Sequence, residues 1–387
     1  VGHAQEVDVD DLPASVDVVV VGGGIAGAAA GHFLAGAGAS VLLLEQEPVL
    51  AHHTTGRSAA QFLGHYGGPA VRRLTRASRP FLESPPDGLV DVPLLSPRSA
   101  LEVGGPDDRD ALAEYVRGGE GVVPGIRLLS VDEAVEVCPV LRPEALGGAV
   151  LEPEAMDIDV MALHQGFVRG LRRAGGSIRS GAAVSGIDRT PGGDWQVWTG
   201  GGRVRTRLLV DAAGAWGDRV AVMAGVRPVA LRPLRRTAFT VGLPGPMTAR
   251  GWPLVHDHHE RWYFKPEGDG LLCSLADEAP DVPSDPRPRD EDVALAIERI
   301  NAATSLGLRH VRRAWAGLRT FAPDRVPVIG PDPDHPRFVW AAGLGGFGIQ
   351  TAPGLGMLVA ATALGAHHAD LVGGSVDARD FAPGRLR

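Results

Sequence analysis

The first strongly patterned stretch of the chain is an unbroken apolar run, VDVVVV at 16–21, followed by GGGIAG at 22–27. A helix of small residues extends to about Gly38, and a second apolar run, VLLLE, follows at 41–45. Continuous rather than alternating apolar runs belong to strands buried on both faces, and a helical crossover makes such strands parallel. The segment therefore predicts a βαβ unit at the start of a parallel sheet.

Residues 78–145 are richer in Pro and Gly and carry only short apolar runs, which predicts a departure into a second unit. A helix is expected over about 159–174, where Val160, Leu163, Phe167, Val168 and Leu171 share one face and Gly175 ends it. From 177 to 210 the pattern reads as a meander of short strands split by PGGD and GGG, ending in the apolar run LLVDAAG. Short alternating runs from 236 to 275 predict an antiparallel sheet. The amphipathic EDVALAIERINAAT, a last strand FVWAAG at 338–343 and an apolar helix near 354–366 complete the pattern, with no internal repeat. The fold class is α/β: a Rossmann-like parallel sheet with a second α+β domain built on an antiparallel sheet.

A chain of 387 residues has room for two or three folding units. Its formal net charge of −8 gives no broad basic field for nucleic acid or an anionic membrane surface. Two cysteines, Cys138 and Cys273, are too few for a disulfide framework and are expected as small core residues in a reducing compartment. The acidic N-terminus resembles no signal peptide, so a cytoplasmic location is expected, with residues 1–14 a tail. Val18 to Leu44 and Phe338 to Ala366 are long uncharged stretches, but their glycines and strands favour buried sheet and helix over a membrane span.

Gly22, Gly24 and Gly27 form G-x-G-x-x-G between a strand and a helix, with Glu45 at the end of the next strand. The glycines permit a tight turn and close backbone approach to a pyrophosphate, the helix start supplies amides for an anion, and the acid can bond a ribose hydroxyl. This predicts dinucleotide binding without choosing between NAD and FAD.

Further segments carry a resemblance: HTTGRSAA at 53–60, LLSPR at 94–98, DIDVMALHQGFVRGLRRAGG at 157–176, DAAGAWGD at 211–218, AGVRP with RRTAF within 224–239, AWAGLRTF at 314–321 and GLGGFGIQT at 343–351. In this order they resemble the D-amino-acid oxidase-type flavoenzymes, the glycine oxidase and sarcosine oxidase group, and within it most nearly the D-arginine dehydrogenases. The resemblance implies one noncovalent FAD held by a discontinuous domain of 15–91, 155–217 and 311–387, capped by a substrate domain of 92–154 and 218–310. It implies cofactor contacts from Gly22, Gly24, Ile25, Ala26, Gly27, Glu45, Gln46, Thr55, Gly56, Arg57, Ser58, Ala213, Gly214, Trp216, Gly345, Gly346, Gly348, Ile349 and Gln350.

For the substrate it implies that Arg319 and Arg236 bind a carboxylate, that Tyr66 and Tyr263 orient it, and that Gly346 and Gln350 line flavin and pocket. The reaction implied is oxidation of an amino-acid C–N bond by hydride transfer to flavin N5, giving an imine that hydrolyses to an oxo acid and an amine or ammonia. Where the family places an acid against an arginine side chain this sequence has Ala100, and where it places a histidine this one has Gln61. His256 replaces an apolar residue and His65 adds an imidazole beside Tyr66, so the side group is expected to be neutral, polar or anionic rather than cationic.

Leu272 falls where sarcosine oxidases carry an oxygen-activating lysine, which favours a dehydrogenase. Lys265, expected as a solvated lysine at a turn, is the rival. His256, His258 and His259 are expected in a turn rather than around a metal. An oxidase of an N-substituted glycine or modified amino acid, and a flavin-binding redox protein without turnover, stay as alternatives. The electron acceptor, a quinone, another carrier or oxygen, is open.

Overall fold

The computed structural model describes residues 12–365 and 376–387. Ser15–Val21 pairs in parallel with Val41–Leu44 on one side and Gly202–Asp211 on the other, as the unbroken valine and leucine runs predict. Gly202–Asp211 changes neighbour midway. Its first half pairs antiparallel with Trp195–Thr199, and Leu209–Asp211 pairs in parallel with Phe338–Ala342. The meander is therefore present, except that Ser177–Arg179 joins the far edge beside Val41–Leu44. Ile25–Gly36 packs on this sheet between Val160–Arg173 and Ala352–Leu364. Small residues set that spacing: a Cβ on Gly356 would come 2.9 Å from the Ala29 carbonyl oxygen.

The helix expected at 159–174 spans Val160–Arg173, and its first turn is capped by the Asp159 carboxylate, which accepts from the Ala162 amide at 2.8 Å. The last helix ends at Leu364, so the expectation reaching residue 366 runs beyond the described residues. Pro69–Glu83 is a helix that the pattern reading did not separate from its surroundings, although Val71, Leu74, Phe81 and Leu82 are buried along one face.

A second sheet runs in the order Ala279–Pro280, Arg232–Gly242, Gly270–Ser274, Tyr263–Glu267, Leu254–Asp257, Ala100–Gly104, Gly148–Glu152 and Arg127–Leu129. It is antiparallel apart from the pairing of Leu254–Asp257 with Ala100–Gly104. Val311–Phe321, the strand carrying AWAGLRTF, pairs along Arg232–Gly242 and so belongs to this sheet by hydrogen bonding. One face packs Phe239, Phe264 and Cys273 against Ala296 and Ile300 of Asp290–Ala303, and the other face looks toward the first sheet. Both cysteines are buried and unpaired, and burial pushes the Cys138 thiol up to about 12. No helix among the described residues is long and apolar enough to cross a membrane.

Candidate active site and family

A cavity of about 760 Å³ extends from the glycine-rich turn to the inward face of the second sheet. Strand alternation decides which side chains face it. On Arg232–Gly242, Arg236 and Ala238 face the cavity, whereas Arg235 points away to Asp292 at 3.2 Å, with Asp281 and Asp277 beyond. Arg235 is therefore structural, and the two adjacent arginines have separate jobs.

At one end the turn is built as its spacing predicts. Gly22 has φ +110°, and a Cβ there would come 2.4 Å from the Ala212 carbonyl oxygen. A Cβ on Gly27 would come 1.8 Å from the Gly22 carbonyl oxygen, so the helix can rest on the turn only without a side chain at that point. Gly24 caps the helix with no side-chain bond. The Ile25 amide donates to Thr55 Oγ1 at 3.0 Å, and the Glu45 carboxylate accepts from the Gly23 amide at 2.6 Å. The expected cofactor residues all line the cavity except Gly27 and Gly56. Gly56 is needed for a different reason, because a Cβ would come 2.5 Å from the Ala51 carbonyl oxygen.

Sequence reasoning missed two buried groups behind the turn. His164 donates from Nε2 to the Gly23 carbonyl at 2.9 Å. Asp211 is fully buried, with Oδ1 accepting from the Ala213 amide at 3.1 Å and Oδ2 unbonded, and burial raises its pKa to about 8. An ordinary aspartate ionises near 3.8, so folding takes up a proton between about pH 4 and 8. Stability should fall as pH rises through that window and level off above it. Asp211→Asn should flatten the fall, and urea midpoints measured at pH 5 and pH 8 test this; an unchanged difference between them would remove Asp211 as its source.

At the other end Arg319, Arg236, Tyr66 and Tyr263 converge on the cavity. Arg319 is 9% exposed. Its Nη2 donates to the Tyr66 hydroxyl, while Nη1 is buried without a hydrogen-bond partner. Burial, and after it the charge of Arg319, push the Arg236 guanidinium below the usual arginine value. Two buried cations side by side favour an anion between them. Glu278, which sequence reasoning did not single out, supplies part of that balance: its carboxylate lies 3.4 Å from Arg236 and 3.6 Å from Arg319 and is held by Arg325 through two contacts of 2.9 Å.

Gly346 passes so close to Arg319 that a Cβ would overlap its guanidinium, and Tyr66 stands edge-on to Phe347 with ring centroids 4.9 Å apart. Gln350 lines the cavity, but its amide is engaged with the Leu63 backbone and with Thr75 Oγ1 at 2.8 Å, so it anchors the segment leading to Tyr66.

The remaining expectations divide. Lys265 is not solvated: it is 6% exposed and paired with Asp157 at 2.9 Å, and neither it nor Leu272 lines the cavity. Ala100 packs with Ala155 and Leu254, whereas Glu102, two residues along the strand, reaches the cavity. The substrate side therefore does not lack a carboxylate. Of the histidines of HDHHE, His258 and His259 occupy a turn as expected, bonding Glu102 at 2.5 Å and Asp108 at 2.9 Å, whereas His256 lies on the strand Leu254–Asp257. A different group, Glu47, His52 and His53, brings three potential ligand atoms within 4.8 Å of one another, with His53 and Glu47 bonded at 2.9 Å.

The profile of the DAO family, FAD dependent oxidoreductase, matches residues 17–362. The chain belongs to this family. Glycine oxidase of Bacillus licheniformis is 26% identical over 363 residues, covering 90% of this chain and 93% of its own. Mitochondrial dimethylglycine dehydrogenase of Rattus norvegicus is 24% identical across 88% of this chain, which spans only 42% of that protein's length. Among solved structures, glycine oxidase from Geobacillus kaustophilus superimposes with a TM-score of 0.84 at 21% identity, covering 96% of this chain and 98% of that one. L-proline dehydrogenase from P. horikoshii gives 0.83 at 21% identity, covering 97% and 98%.

FAD is thus the cofactor of this DAO-family oxidoreductase. The chain fits it: the cradle at Gly22 and Gly27 excludes Cβ atoms, Gly24 brings no side chain to the helix start, and a single cavity continues from there to the arginines.

Proposed function

We propose that this chain oxidises the C–N bond at Cα of an amino acid, with D-amino acids the class to test first, in a DAO-type site. The observation that carries the reading is the buried Arg319 guanidinium, its Nη1 without a hydrogen bond and 3.6 Å from Glu278, beside Arg236 in the same cavity as the glycine turn. FAD, when bound, supplies the two-electron acceptor for the Cα hydrogen. The two guanidiniums hold the substrate carboxylate, the planar fork of Arg319 fixing its orientation. Tyr66 is held by Arg319 and packed on Phe347, which keeps its hydroxyl at the carboxylate, and Tyr263 borders the same space. The amine reacts uncharged, so no protein base is required, and water hydrolyses the resulting imine to an oxo acid and ammonia or an amine.

FAD is noncovalent in this reading, and neither cysteine lines the cavity to form a thioether with it. The cofactor domain comprises 15–91, 155–217 and 311–387 and the substrate domain 92–154 and 218–310, with Val311–Phe321 bridging them through its pairing to Arg232–Gly242. The withdrawal of Lys265 from the cavity into its pair with Asp157 supports a dehydrogenase passing electrons to a quinone or carrier. The likeness to proteins named glycine oxidase and dimethylglycine dehydrogenase favours, as a second reading, an N-substituted glycine as substrate.

The test is anaerobic mixing of the FAD-loaded protein with D- and L-amino acids, sarcosine and dimethylglycine. Bleaching of the flavin band by amino acids supports the first reading, and bleaching by N-methylglycines alone supports the second. A flavin that no amine reduces would sink both. Readmitting air to the reduced protein separates oxidase from dehydrogenase.

A further inference from the structure

The cavity does not stop at the arginines. Strand register places Ser274 opposite Tyr263, Tyr263 opposite His256 and His256 opposite Glu102, so these side chains form one row across the inward face. At about 4.8 Å per strand, Glu102 lies about 10 Å across the sheet from Tyr263. Tyr263, His256 and Glu102 all line the cavity, as do His258, His65 and Tyr115.

The buried carboxylate at this end is matched within the protein. Glu102 is 4% exposed and its carboxylate is occupied by His258 at 2.5 Å, a bond that raises the His258 pKa. Tyr115 is kept protonated by burial and by the nearby charges of Glu102 and Glu152. The half-buried Arg72 guanidinium, also on the lining, donates to the carbonyls of Gly67 at 2.7 Å and Gly118 at 3.2 Å and feels the charge of Glu152. Glu260, the other carboxylate on the lining, is exposed and screened by water.

What remains unmatched is hydrogen-bonding capacity without charge. His65 is 3% exposed and lines the cavity; burial lowers its pKa, and although the Gly118 backbone lies beside its ring, neither nitrogen makes a well-formed hydrogen bond. His256 approaches Glu102 only to 3.9 Å, beyond hydrogen-bond reach. A neutral imidazole offers one donor and one acceptor. A cation here would have to share Glu102 with His258, an anion would have to draw Arg72 away from the Gly67 and Gly118 carbonyls, and an alkyl group would give the His256 ring no hydrogen-bond partner.

We propose that the row Tyr263, His256 and Glu102, closed by His65, is a second recognition subsite that takes an uncharged hydrogen-bonding group, such as a carboxamide or urea, at the end of a substrate side chain. This rests on the reading that Arg319 and Arg236 hold the carboxylate. The substrate is then a long amino acid gripped at both ends. Glu102 acts as a positioning residue, fixing His258 and the charge balance of the subsite without contributing a free anion.

The test uses redox-inert carboxylates of similar length, titrated calorimetrically into the FAD-loaded protein: adipamate with an amide end, 6-aminohexanoate with a cation, adipate with a second carboxylate and heptanoate with an alkyl end. Adipamate should bind at least tenfold more tightly than the other three. In His256→Leu the ratio of adipamate to heptanoate affinity should fall toward one. Tightest binding by 6-aminohexanoate would overturn the proposal and make Glu102 a reader of cations, and tightest binding by adipate would overturn it by revealing an unpaired cation. Equal binding of adipamate and heptanoate would overturn the subsite while leaving the arginine reading intact, whereas no binding by any of the four would overturn the arginine reading and the subsite with it. Preferred adipamate binding in a protein whose flavin no amino acid reduces would uphold the subsite and reject the proposed oxidation.

Discussion

Arg319→Met should lower kcat/KM for carboxylate-bearing substrates at least about a hundredfold, chiefly through KM. Arg319 is buried beside Arg236, with Tyr66 on one terminal nitrogen and no hydrogen-bond partner on the other. Truncating one partner of a buried, hydrogen-bonded charge pair costs about 2–5 kcal/mol, and about 2.7 kcal/mol is already a hundredfold. Methionine keeps much of the volume and loses the planar fork. Because Arg236 and Glu278 remain, the variant keeps a cation near the site but cannot orient the carboxylate. Steady-state kinetics on the best substrate of the bleaching panel reads this directly. Kinetics within twofold of the parent protein would remove Arg319 from the site.

Gly27→Ala should yield protein that purifies largely without flavin, with the flavin-to-protein absorbance ratio reduced about tenfold, equivalent to ~1.4 kcal/mol of lost affinity. The added Cβ would sit 1.8 Å from the Gly22 carbonyl oxygen, a backbone atom that cannot swing aside as a side chain would. Gly22 is itself fixed, with φ +110° and the Ala212 carbonyl behind it. Relief therefore requires Ile25–Gly36 to move away from Ser15–Val21, which displaces the amides at its start. Gly36→Ala on the same helix is the control, because a Cβ there meets nothing within 4 Å. Equal flavin content in the two variants would show that the close packing at Gly27 does not govern cofactor binding.

The comparison between arginines shows how legibility depends on the interaction involved. Arg235 and Arg236 are adjacent in sequence and chemically identical, yet one faces three aspartates and the other the cavity. Alternation along a strand predicts that they part, but not which goes where, because that depends on which face of the sheet meets the core. Ala100 and Glu102, two residues apart, share a face of their strand, and there the question is position along it. A position-by-position comparison put the loss of an acid at Ala100, whereas the strand pairing brings Glu102 to the cavity. Lys265 was misread for the opposite reason: a lysine near a turn is ordinarily solvated, and only tertiary contact with Asp157 accounts for its burial.

By itself the sequence determined the features governed by local geometry: buried strands from unbroken valine and leucine runs, a tight turn from three glycines, a capped helix after Asp159, and the residue types that an FAD site and a carboxylate site require. These follow from φ, ψ and side-chain periodicity over a few residues, so they are written locally. The folded chain alone decided the contacts that join distant segments. It set Arg319 against Tyr66 across 253 residues, placed Glu278 behind the arginine pair, engaged Gln350 with Thr75, and ranked Tyr263, His256 and Glu102 in one row. Register between strands far apart in sequence is selected by the packing of whole sheets, and no local pattern encodes it.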